Sequence, residues 1–550
     1  MYFYKHNIIA NLYSTTMPSD CISYQKSGYF SKLIIDYLNE KETLKKLYNR
    51  FPKLENFEAQ IEEKKINFNE NNIATKKRNV LVKTLEKQYQ NIAISKKTLH
   101  NINLLKKENT FTITTGHQLN LFTGPLYFIY KIISTINLCD TLKAKFPNHN
   151  FVPVYWMATE DHDFEEINYF WFKGKKNIWQ KEYHGPVGRF STEGLELVFE
   201  DFSTALGSGK NATYLKELFR KGYIEHHNLT DATRYIVNEI FKEKGLVILD
   251  GDDKNLKKLF APYIKQELLH QTASTEVLKT NTLLSAYKTQ VNPREINLFF
   301  MEGNLRERIV FENNTYTVLN TNYCFTEGEI LTELENNPEK FSPNVILRPL
   351  YQEVILPNLC YVGGGGEIAY WLELKSNFEA NEVSFPILLI RNSVLIATEK
   401  QVKKADKLGL SWGDLFKNQS ELINIKTKEQ SILKIDFSPQ KEHLKNQFEA
   451  LYEMAKKTNT TFYKAVKAQE IKQIKGLENL EKKLLKAEKI ALKDQLERIK
   501  LLQDELFPNQ SLQERKLNFS EFYSEYGHTL LEKLSAELNP LSQEFKILVL

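Results

Sequence analysis

Cysteine is scarce in this 550-residue sequence. The four cysteines, Cys21, Cys139, Cys324 and Cys360, are far apart and show no CxxC spacing. That distribution excludes the dense disulfide scaffold of a small secreted protein. We therefore interpret them as buried or incidental thiols in a reducing compartment, and we expect a cytoplasmic protein.

Long hydrophobic runs are also missing. No apolar stretch approaches the roughly 18 residues that a membrane-spanning helix requires. The first nine residues are interrupted by Lys5, His6 and Asn7, whereas a signal peptide needs a continuous apolar segment there. The sequence predicts neither membrane insertion nor secretion.

No sign of charge dominates. The sequence has 74 lysines and arginines against 69 aspartates and glutamates, a formal net charge of +5, and the two signs are interleaved. Nucleic-acid binders concentrate positive charge, so no such partner is expected. The HxxxH and CxxC spacings, the GxGxxG fingerprint and the GxxxxGK[ST] loop are absent as well, and no metal ligand is predicted.

Apolar segments that read as strands alternate with segments that read as helices. The strand candidates are residues 111–115, 151–156, 246–249, 356–362 and 385–390. After the first of them, Pro125 precedes a strongly apolar helix candidate. Near-continuous apolar strands separated by helices are typical of a parallel sheet covered on both faces. The predicted fold class is therefore α/β.

The length predicts more than one folding unit. About 200 residues between the second and fourth strands exceed a simple crossover and indicate inserted subdomains. Residues 469–503, rich in Lys, Glu and Leu, predict a long coiled-coil helix that ends at Phe507 and Pro508. We divide the chain into an N-terminal helical segment (1–110), the first part of the core (111–170), further core with inserted subdomains (171–340), the rest of the core with a glycine-rich loop (341–398), a helical coiled-coil domain (399–512) and a tail packing on the core or the coiled coil (513–550).

Unusual residues follow each strand candidate. Ligands of open α/β sheets bind at the carboxyl ends of the strands, so we expect these segments to line one cleft. The segments are residues 116–118, residues 160–163, residues 250–253, residues 363–366 and Arg391.

The four glycines at 363–366 allow backbone N–H groups to approach an anion such as a phosphate. The alternative is a tight turn that needs positive φ. Glu367, in the first turn of the next helix, is also interpretable as a partner of the helix dipole.

His162 lies among Glu160, Asp161 and Asp163, a setting that suits a general base tuned by carboxylates. The alternatives are a metal site and a loop whose acidic groups cap the following helix. His117 is a candidate donor to a phosphate or oxyanion, or a hydrogen-bonded structural residue.

Arg348 and Gln352 combine a carboxylate-pairing guanidinium with an amide shortly before the glycines. The alternative is an interdomain salt bridge.

Five segments together resemble the bacillithiol synthase family of cysteine ligases (BshC). They are TGHQLNLFTGPLY (115–127), PVYWMATEDHDFEE (153–166), SPNVILR (342–348), YVGGGGEIAYW (361–371) and LFPNQSLQER (506–515). The resemblance extends from about Met17 to the C-terminus, so residues 1–16 are interpreted as an extension from an upstream start codon. His117, where Gln is more usual, and Gly365, where Pro is common, depart from the family pattern and weaken role assignments at those two positions.

The resemblance implies a Rossmann-like core with connecting-peptide insertions and a C-terminal coiled coil that pairs two subunits. The implied reaction adds cysteine to glucosaminyl malate and gives bacillithiol. ATP is the expected source of activation, with ADP or AMP as product and Mg²⁺ as its companion, and both an adenylate and an acyl phosphate remain open.

These expectations assign roles within the predicted cleft. The catalytic candidates are Glu160, Asp161, His162 and Asp163. The nucleotide-binding candidates are Gly116, His117, Gln118, Gly363, Gly364, Gly365 and Gly366. The substrate-binding candidates are Tyr127, Asp250, Arg348, Gln352, Glu367 and Arg391.

Two competing interpretations belong to other classes. One is a non-catalytic dimeric scaffold with a degenerate nucleotide fold, against which the crowded carboxylates argue. The other is a relative of tRNA-directed synthetases, which would need a basic face for the phosphate backbone.

Overall fold

The structure is a computed structural model that describes residues 19–69 and 73–550. The interpretations of residues 1–9 and 1–16 lie outside the described residues. The strands are β1 Asp20–Ser23, β2 Thr110–His117, β3 Asn150–Met157, β4 Tyr169–Phe172, β5 Lys175–Ile178, β6 Val247–Asp250, β7 Leu298–Glu302, β8 Leu305–Glu312, β9 Thr315–Val318, β10 Cys324–Phe325, β11 Phe341–Pro343, β12 Asn358–Gly363, β13 Ile387–Ile390, β14 Ser393–Ala397 and β15 Glu544–Val549.

Helices connect and cover these strands. They are α1 Tyr24–Ser27, α2 Lys32–Leu38, α3 Asn56–Asn69, α4 Ile73–Gln88, α5 Lys96–Leu104, α6 Tyr127–Lys145, α7 Phe164–Ile167, α8 Leu195–Leu206, α9 Lys210–Phe219, α10 Leu229–Phe241, α11 Lys254–His270, α12 Thr272–Leu283, α13 Glu327–Asn336, α14 Leu347–Ile355, α15 Gly365–Trp371, α16 Lys375–Ala380, α17 Glu399–Lys407, α18 Trp412–Leu415, α19 Gln419–Gln430, α20 Ser438–Lys456, α21 Thr460–Ala491, α22 Lys493–Leu506, α23 Phe519–Tyr526 and α24 His528–Glu537.

The central sheet has five parallel strands in the order β13-β12-β2-β3-β6. All five strand candidates of the sequence are present in it. Strand β2 pairs with β3 in an unbroken register from Thr110 opposite Asn150 to His117 opposite Met157. The carboxyl ends of β2, β3 and β12 therefore lie side by side, as the sequence predicts for parallel neighbours.

Both faces of this sheet are buried. Along β13, Ile387 and Leu389 belong to one hydrophobic cluster, while Leu388 and Ile390 belong to another. Alternate side chains of a strand point to opposite faces, so the two clusters cover the two sides. The prediction of a doubly covered parallel sheet is confirmed.

Two insertions interrupt the order of core strands. Between β3 and β6 lie the antiparallel β4–β5 hairpin and helices α8 to α10. Between β6 and β12 lies a five-stranded antiparallel sheet in the order β10-β9-β8-β7-β11. These insertions account for the long stretch of mixed character in the sequence.

The helical part after the core contains an antiparallel hairpin of α20 and α21. The Lys441 ammonium pairs with Glu481 at 2.7 Å, and Phe448, Ala455 and Val466 form a small core between the two helices. The prediction of one continuous helix is wrong at Leu492, where φ −94° and ψ 13° separate α21 from α22. Within the described residues, no helix combines the length and apolarity that crossing a bilayer requires.

The two ends of the described chain meet in one small sheet. Strand β15 pairs in parallel with β14 and antiparallel with β1. The segment beyond the coiled coil is therefore built into the edge of the core.

Candidate active site

A cavity of about 380 Å³ opens at the carboxyl end of the central sheet. Gly116 and His117 come from the end of β2, Met157 from the end of β3, Glu367 from the segment after β12, and Arg306 from the inserted sheet. The wall also contains Gln118, Tyr127, Trp156, Ala158, Thr159, Glu160, Asp161, Pro343, Asn344, Val345, Arg348, Tyr361 and Tyr370. Segments that are distant in the sequence thus meet at one cleft.

A buried ion pair supports the floor of this cavity. The ammonium of Lys131 contacts both oxygens of Glu367 at 2.8 and 2.9 Å and also donates to the carbonyl of Gly116. Glu367 further accepts from the Tyr361 hydroxyl at 2.7 Å and the Gly364 N–H at 2.8 Å. Burial alone would raise the pKa of Glu367, but Lys131 and the other donors outweigh it and lower the pKa. Glu367 is therefore an ionised, fixed group.

The glycines at 363–366 connect β12 to α15. None of the four has a positive φ, so the interpretation as a turn that needs positive φ is wrong. A Cβ on Gly363 would lie 2.9 Å from Cε1 of Tyr361, which explains why this position has no side chain. The Gly364 N–H donates to Glu367. One of the backbone N–H groups predicted to approach an anion is thus bonded to a carboxylate of the chain itself.

His117 belongs to the wall of the cavity, and its ring is closely packed. Its ring lies against Tyr127 and Phe128, with centroids 5.4 and 5.0 Å away. Nε2 is buried and has no hydrogen-bond partner within the described residues. Burial, together with the positive charges of Lys131 and Arg391, holds the pKa of His117 well below its usual value. The ring is therefore neutral.

Arg348 reaches the same cavity from α14. Its Nη1 donates to Oε1 of Gln352 at 3.1 Å, whereas Nη2 is buried without a partner in the part of the chain that the structure describes. A Cβ on Gly116 would lie 3.2 Å from the Tyr361 hydroxyl and 3.5 Å from Arg348 Nη1, so Gly116 allows both to approach. The side chain of Gln352 turns away from the cavity and donates to Glu353 at 2.9 Å.

Two residues of the acidic segment, Glu160 and Asp161, line the same cavity. Glu160 accepts from the buried ammonium of Lys257, and burial raises the pKa of Glu160 although Lys257 opposes the shift. Asp161 accepts from the amide of Gln118 at 2.8 Å. Asp163 stands at the N-cap of α7 without a side-chain capping bond. The interpretation of these acids as helix caps is therefore wrong for Asp163.

His162 lies beside the cavity, not in its wall. Its side chain is 43% exposed, and its Nδ1 lies 2.6 Å from Nη1 of Arg306. A guanidinium only donates hydrogen bonds, so Nδ1 accepts and the proton of the neutral ring is on Nε2. The Arg306 guanidinium itself lies 3.9 Å from the Phe299 ring centroid.

Two predicted substrate-binding residues are used inside the protein. Asp250 accepts from the Thr159 hydroxyl and from the Asp252 N–H at 2.9 Å. Burial, with the nearby charge of Asp252, raises its pKa to about 6. Arg391 donates to the buried carboxylate of Glu514 at 2.8 Å.

Sequence reasoning missed Lys131 and Arg306. A lysine within the apolar face of α6 was the available signal for Lys131, because a buried lysine needs a partner. Arg306 lies on an inserted antiparallel strand. The expectation that ligands bind at the carboxyl ends of parallel strands does not apply to such a strand. Among residues 19–69 and 73–550, no group of three or more His, Cys, Asp or Glu side chains is placed to hold a metal ion.

Comparisons with known proteins match the chain along its length. Residues 17–392 match "Bacillithiol biosynthesis BshC, N-terminal Rossmann-like domain", and residues 394–550 match "Bacillithiol biosynthesis BshC, C-terminal coiled-coil domain". Proteins named "Putative cysteine ligase BshC" are similar to it. The one from Flavobacterium johnsoniae is 63% identical, over 97% of this chain and 100% of the relative. The one from Flavobacterium psychrophilum is 61% identical, over 97% and 99%, and the one from Cytophaga hutchinsonii is 38% identical, over 94% and 96%. The chain therefore belongs to the BshC family of bacillithiol biosynthesis, with a Rossmann-like domain followed by a coiled-coil domain.

Proposed function

We propose that this protein is a ligase that joins L-cysteine to the amine of glucosaminyl malate through an amide bond and gives bacillithiol, the last step of that pathway. One observation carries the proposal: His117 and Arg348, each with a buried nitrogen that has no partner among the described residues, line the same cavity as Glu160. Amide formation from an activated acyl group needs anion-stabilising groups and a proton acceptor. The names of the similar proteins agree with this reaction, which we place in the cytoplasm.

ATP is the proposed source of the activated cysteine carboxyl group. His117 and Arg348 each have a buried nitrogen without a partner in the described part of the chain. Together with the neighbouring guanidinium of Arg306, these side chains fit a ligand that carries phosphates. We assign the phosphate contacts to these side chains instead of the glycines at 363–366, because Glu367 already holds the Gly364 N–H. Mg²⁺ would enter with the phosphates, since proteins often hold it through substrate oxygens and one or two carboxylates.

Glu160 is the proposed proton acceptor for the attacking amine. Its burial raises its pKa towards the range in which a carboxylate is an effective base. Lys257 holds one oxygen of Glu160 and thereby orients the group. His162 is less suitable, because its Nδ1 accepts from Arg306 and its Nε2 carries the ring proton. We therefore assign His162 to positioning Arg306.

The function is tested by incubating the purified protein with cysteine, glucosaminyl malate, ATP and magnesium, and measuring the conjugate by mass spectrometry. We expect a product that requires all three substrates, and AMP or ADP released in equal amount. Absence of the conjugate across several nucleotides and metals would favour a non-catalytic binding protein.

The base assignment is tested with a matched pair of variants. Glu160→Gln should lower kcat by about 100-fold or more, the usual contribution of a general base. His162→Gln should lower kcat by less than about tenfold, because it removes a single positioning contact. Full activity in Glu160→Gln, with loss in His162→Gln, would reverse the two roles.

We propose that the α20–α21 hairpin pairs two subunits. Leu480 and Ile490 on α21 are 53% and 68% exposed, and Met454 on α20 is 53% exposed. Apolar residues that recur along one long helix commonly pack against another helix. Leu480→Glu should convert a dimer into a monomer in sedimentation velocity. Leu278→Glu, at an equally exposed leucine on α12, should leave the assembly unchanged.

A further inference from the structure

A second cavity of about 310 Å³ adjoins the first. Gln118 and Tyr127 belong to the walls of both cavities. The second cavity also contains Glu166 and Trp171, which come from the insertion after β3. Two chambers with a common wall suit a reaction that joins two different substrates.

The segment after the coiled coil forms one side of this second cavity. Gln513 bonds to the backbone of Ile396 in β14 through both atoms of its amide, at 3.0 and 2.9 Å. Glu514 is buried, pairs with Arg391 and accepts from the Val394 N–H at 3.0 Å. These two side chains fix residues 513–514 to the edge of the core and leave the next residues at the cavity.

Those next residues are Arg515 and Lys516, and both line the second cavity. Neither side chain forms an ion pair or a hydrogen bond with the described part of the chain. Most other cations near the core are paired, for example Lys131, Lys257 and Arg391. The second cavity therefore offers two positive charges that are not committed to ion pairs within the described part of the chain.

The charges of the second cavity are unevenly distributed. Glu166 accepts from Gln118 at 3.0 Å, so its carboxylate lies against the wall that the two cavities share. The aromatic side chain of Trp171 offers a flat surface of the kind that supports a sugar ring. A ligand that fits this arrangement carries an amine at one end and carboxylates at the other.

We infer that the second cavity is the binding site of the acceptor, with Arg515 and Lys516 holding the carboxylates of an amino sugar that is linked to a dicarboxylate. This inference rests on the proposed function, and it gives a role to the 506–515 motif that the first cavity leaves unused. In this arrangement the acceptor amine points towards Gln118 and the first cavity.

The inference is tested by calorimetric titration of the full-length protein with glucosaminyl malate, without cysteine or ATP. Arg515→Gln should weaken binding by roughly 10- to 100-fold, the loss expected when a hydrogen bond between charged groups is removed. Arg515→Lys keeps the charge and should recover part of the affinity. Lys516→Gln should weaken binding in the same direction. Lys533→Gln is the matched control, because it removes an exposed positive charge from α24, outside both cavities.

Turnover gives a second readout. In Arg515→Gln, KM for glucosaminyl malate should rise with kcat and KM for cysteine nearly unchanged. A wild-type protein that does not bind glucosaminyl malate, or an Arg515→Gln variant that binds it equally well, would overturn the inference. Inorganic phosphate that binds as tightly as glucosaminyl malate, with the same dependence on Arg515, would overturn it in favour of a general anion site. Binding that depends on Arg515 without conjugate formation would support this cavity and contradict the proposed ligase activity.

Discussion

The two ends of the central sheet each contain a buried lysine–glutamate pair, and their surroundings differ. At the amino end, Lys64 of α3 lies 3.2 Å from Glu353 of α14, and the two side chains are 1% and 0% exposed. Glu353 also accepts from Gln352 and from Asn358, the first residue of β12, at 2.9 and 2.6 Å. This pair is sealed from solvent.

At the carboxyl end, Lys131 and Glu367 form the corresponding pair. Lys131 is 1% exposed, whereas Glu367 is 27% exposed and lies in the wall of the first cavity. The nearby nitrogens of His117 and Arg348 have no partner among the described residues. Buried polar groups are usually satisfied within the protein, so we expect the amino end to contribute stability and the carboxyl end to contribute to binding.

The largest effect is expected at the sealed end. Glu353→Ala leaves the ammonium of Lys64 buried without its carboxylate, and should lower the free energy of unfolding by about 3–5 kcal/mol. Urea denaturation measures this change. Glu399→Ala, which removes an exposed carboxylate, is the control and should change the free energy by less than about 0.5 kcal/mol. Equal unfolding free energies for the two variants would contradict a stabilising role for the buried pair at the amino end of the sheet.

The next largest effect is expected on activity at the open end. Arg348→Gln removes a guanidinium whose Nη2 has no partner in the described protein. It should lower kcat/KM by about 100-fold, as the loss of one anion-stabilising donor does, with a small change in unfolding free energy. Steady-state kinetics and urea denaturation of the same preparation separate the two quantities. A variant that is destabilised but fully active would show that Arg348 contributes to stability and not to binding.

The titration of Asp250, at the end of β6, should make the free energy of unfolding depend on pH. The pKa of Asp250 is raised to about 6 by burial and by Asp252, against about 4 in an unfolded chain. Between these values the folded protein holds the proton more tightly, so the contribution of Asp250 to stability is greatest below pH 4 and falls as the pH rises to 6. The loss should be about 1–3 kcal/mol. Asp250→Asn should lack this slope in urea denaturation at pH 4 to 7, and an unchanged slope would contradict the assignment.

The smallest effect is expected in the glycine segment. A Cβ on Gly366 meets no atom within 4 Å, and the residue lies in α15. Gly366→Ala should therefore raise the unfolding free energy by about 0.4–1 kcal/mol without changing KM for ATP. Gly363→Ala, with its 2.9 Å contact to Tyr361, should destabilise the protein instead. A strong rise of KM for ATP in Gly366→Ala would indicate that the glycines contact the phosphates of ATP.

Much of the core was predictable because its signals are local. Residues 111–115 are rich in β-branched side chains, and they form β2 with Gly116 and His117 at its end. Parallel pairing then brings strand ends together, so the meeting of Glu160 with His117 follows from topology.

The rest depends on contacts between distant segments. The Gly364 N–H donates to Glu367, and Lys131, more than 200 residues earlier, fixes that carboxylate. The contact of Arg306 with His162 joins an inserted sheet to a core loop. The break of the long helix at Leu492 follows a change of environment: Leu496 and Ile499 are buried against the core, while Leu480 remains exposed. No local pattern contains this information.

The small sheet of β14, β15 and β1 has a consequence for any exchange of parts between relatives. The two family matches meet between residues 392 and 394, yet β14 at that boundary takes its parallel neighbour from the last residues of the chain. Cutting there would expose an unpaired strand edge and deprive Arg391 of Glu514. A functional hybrid therefore has to take β14, Ser393–Ala397, from the same parent as β1 and β15. The boundary between the two family matches is not a suitable place to join two relatives.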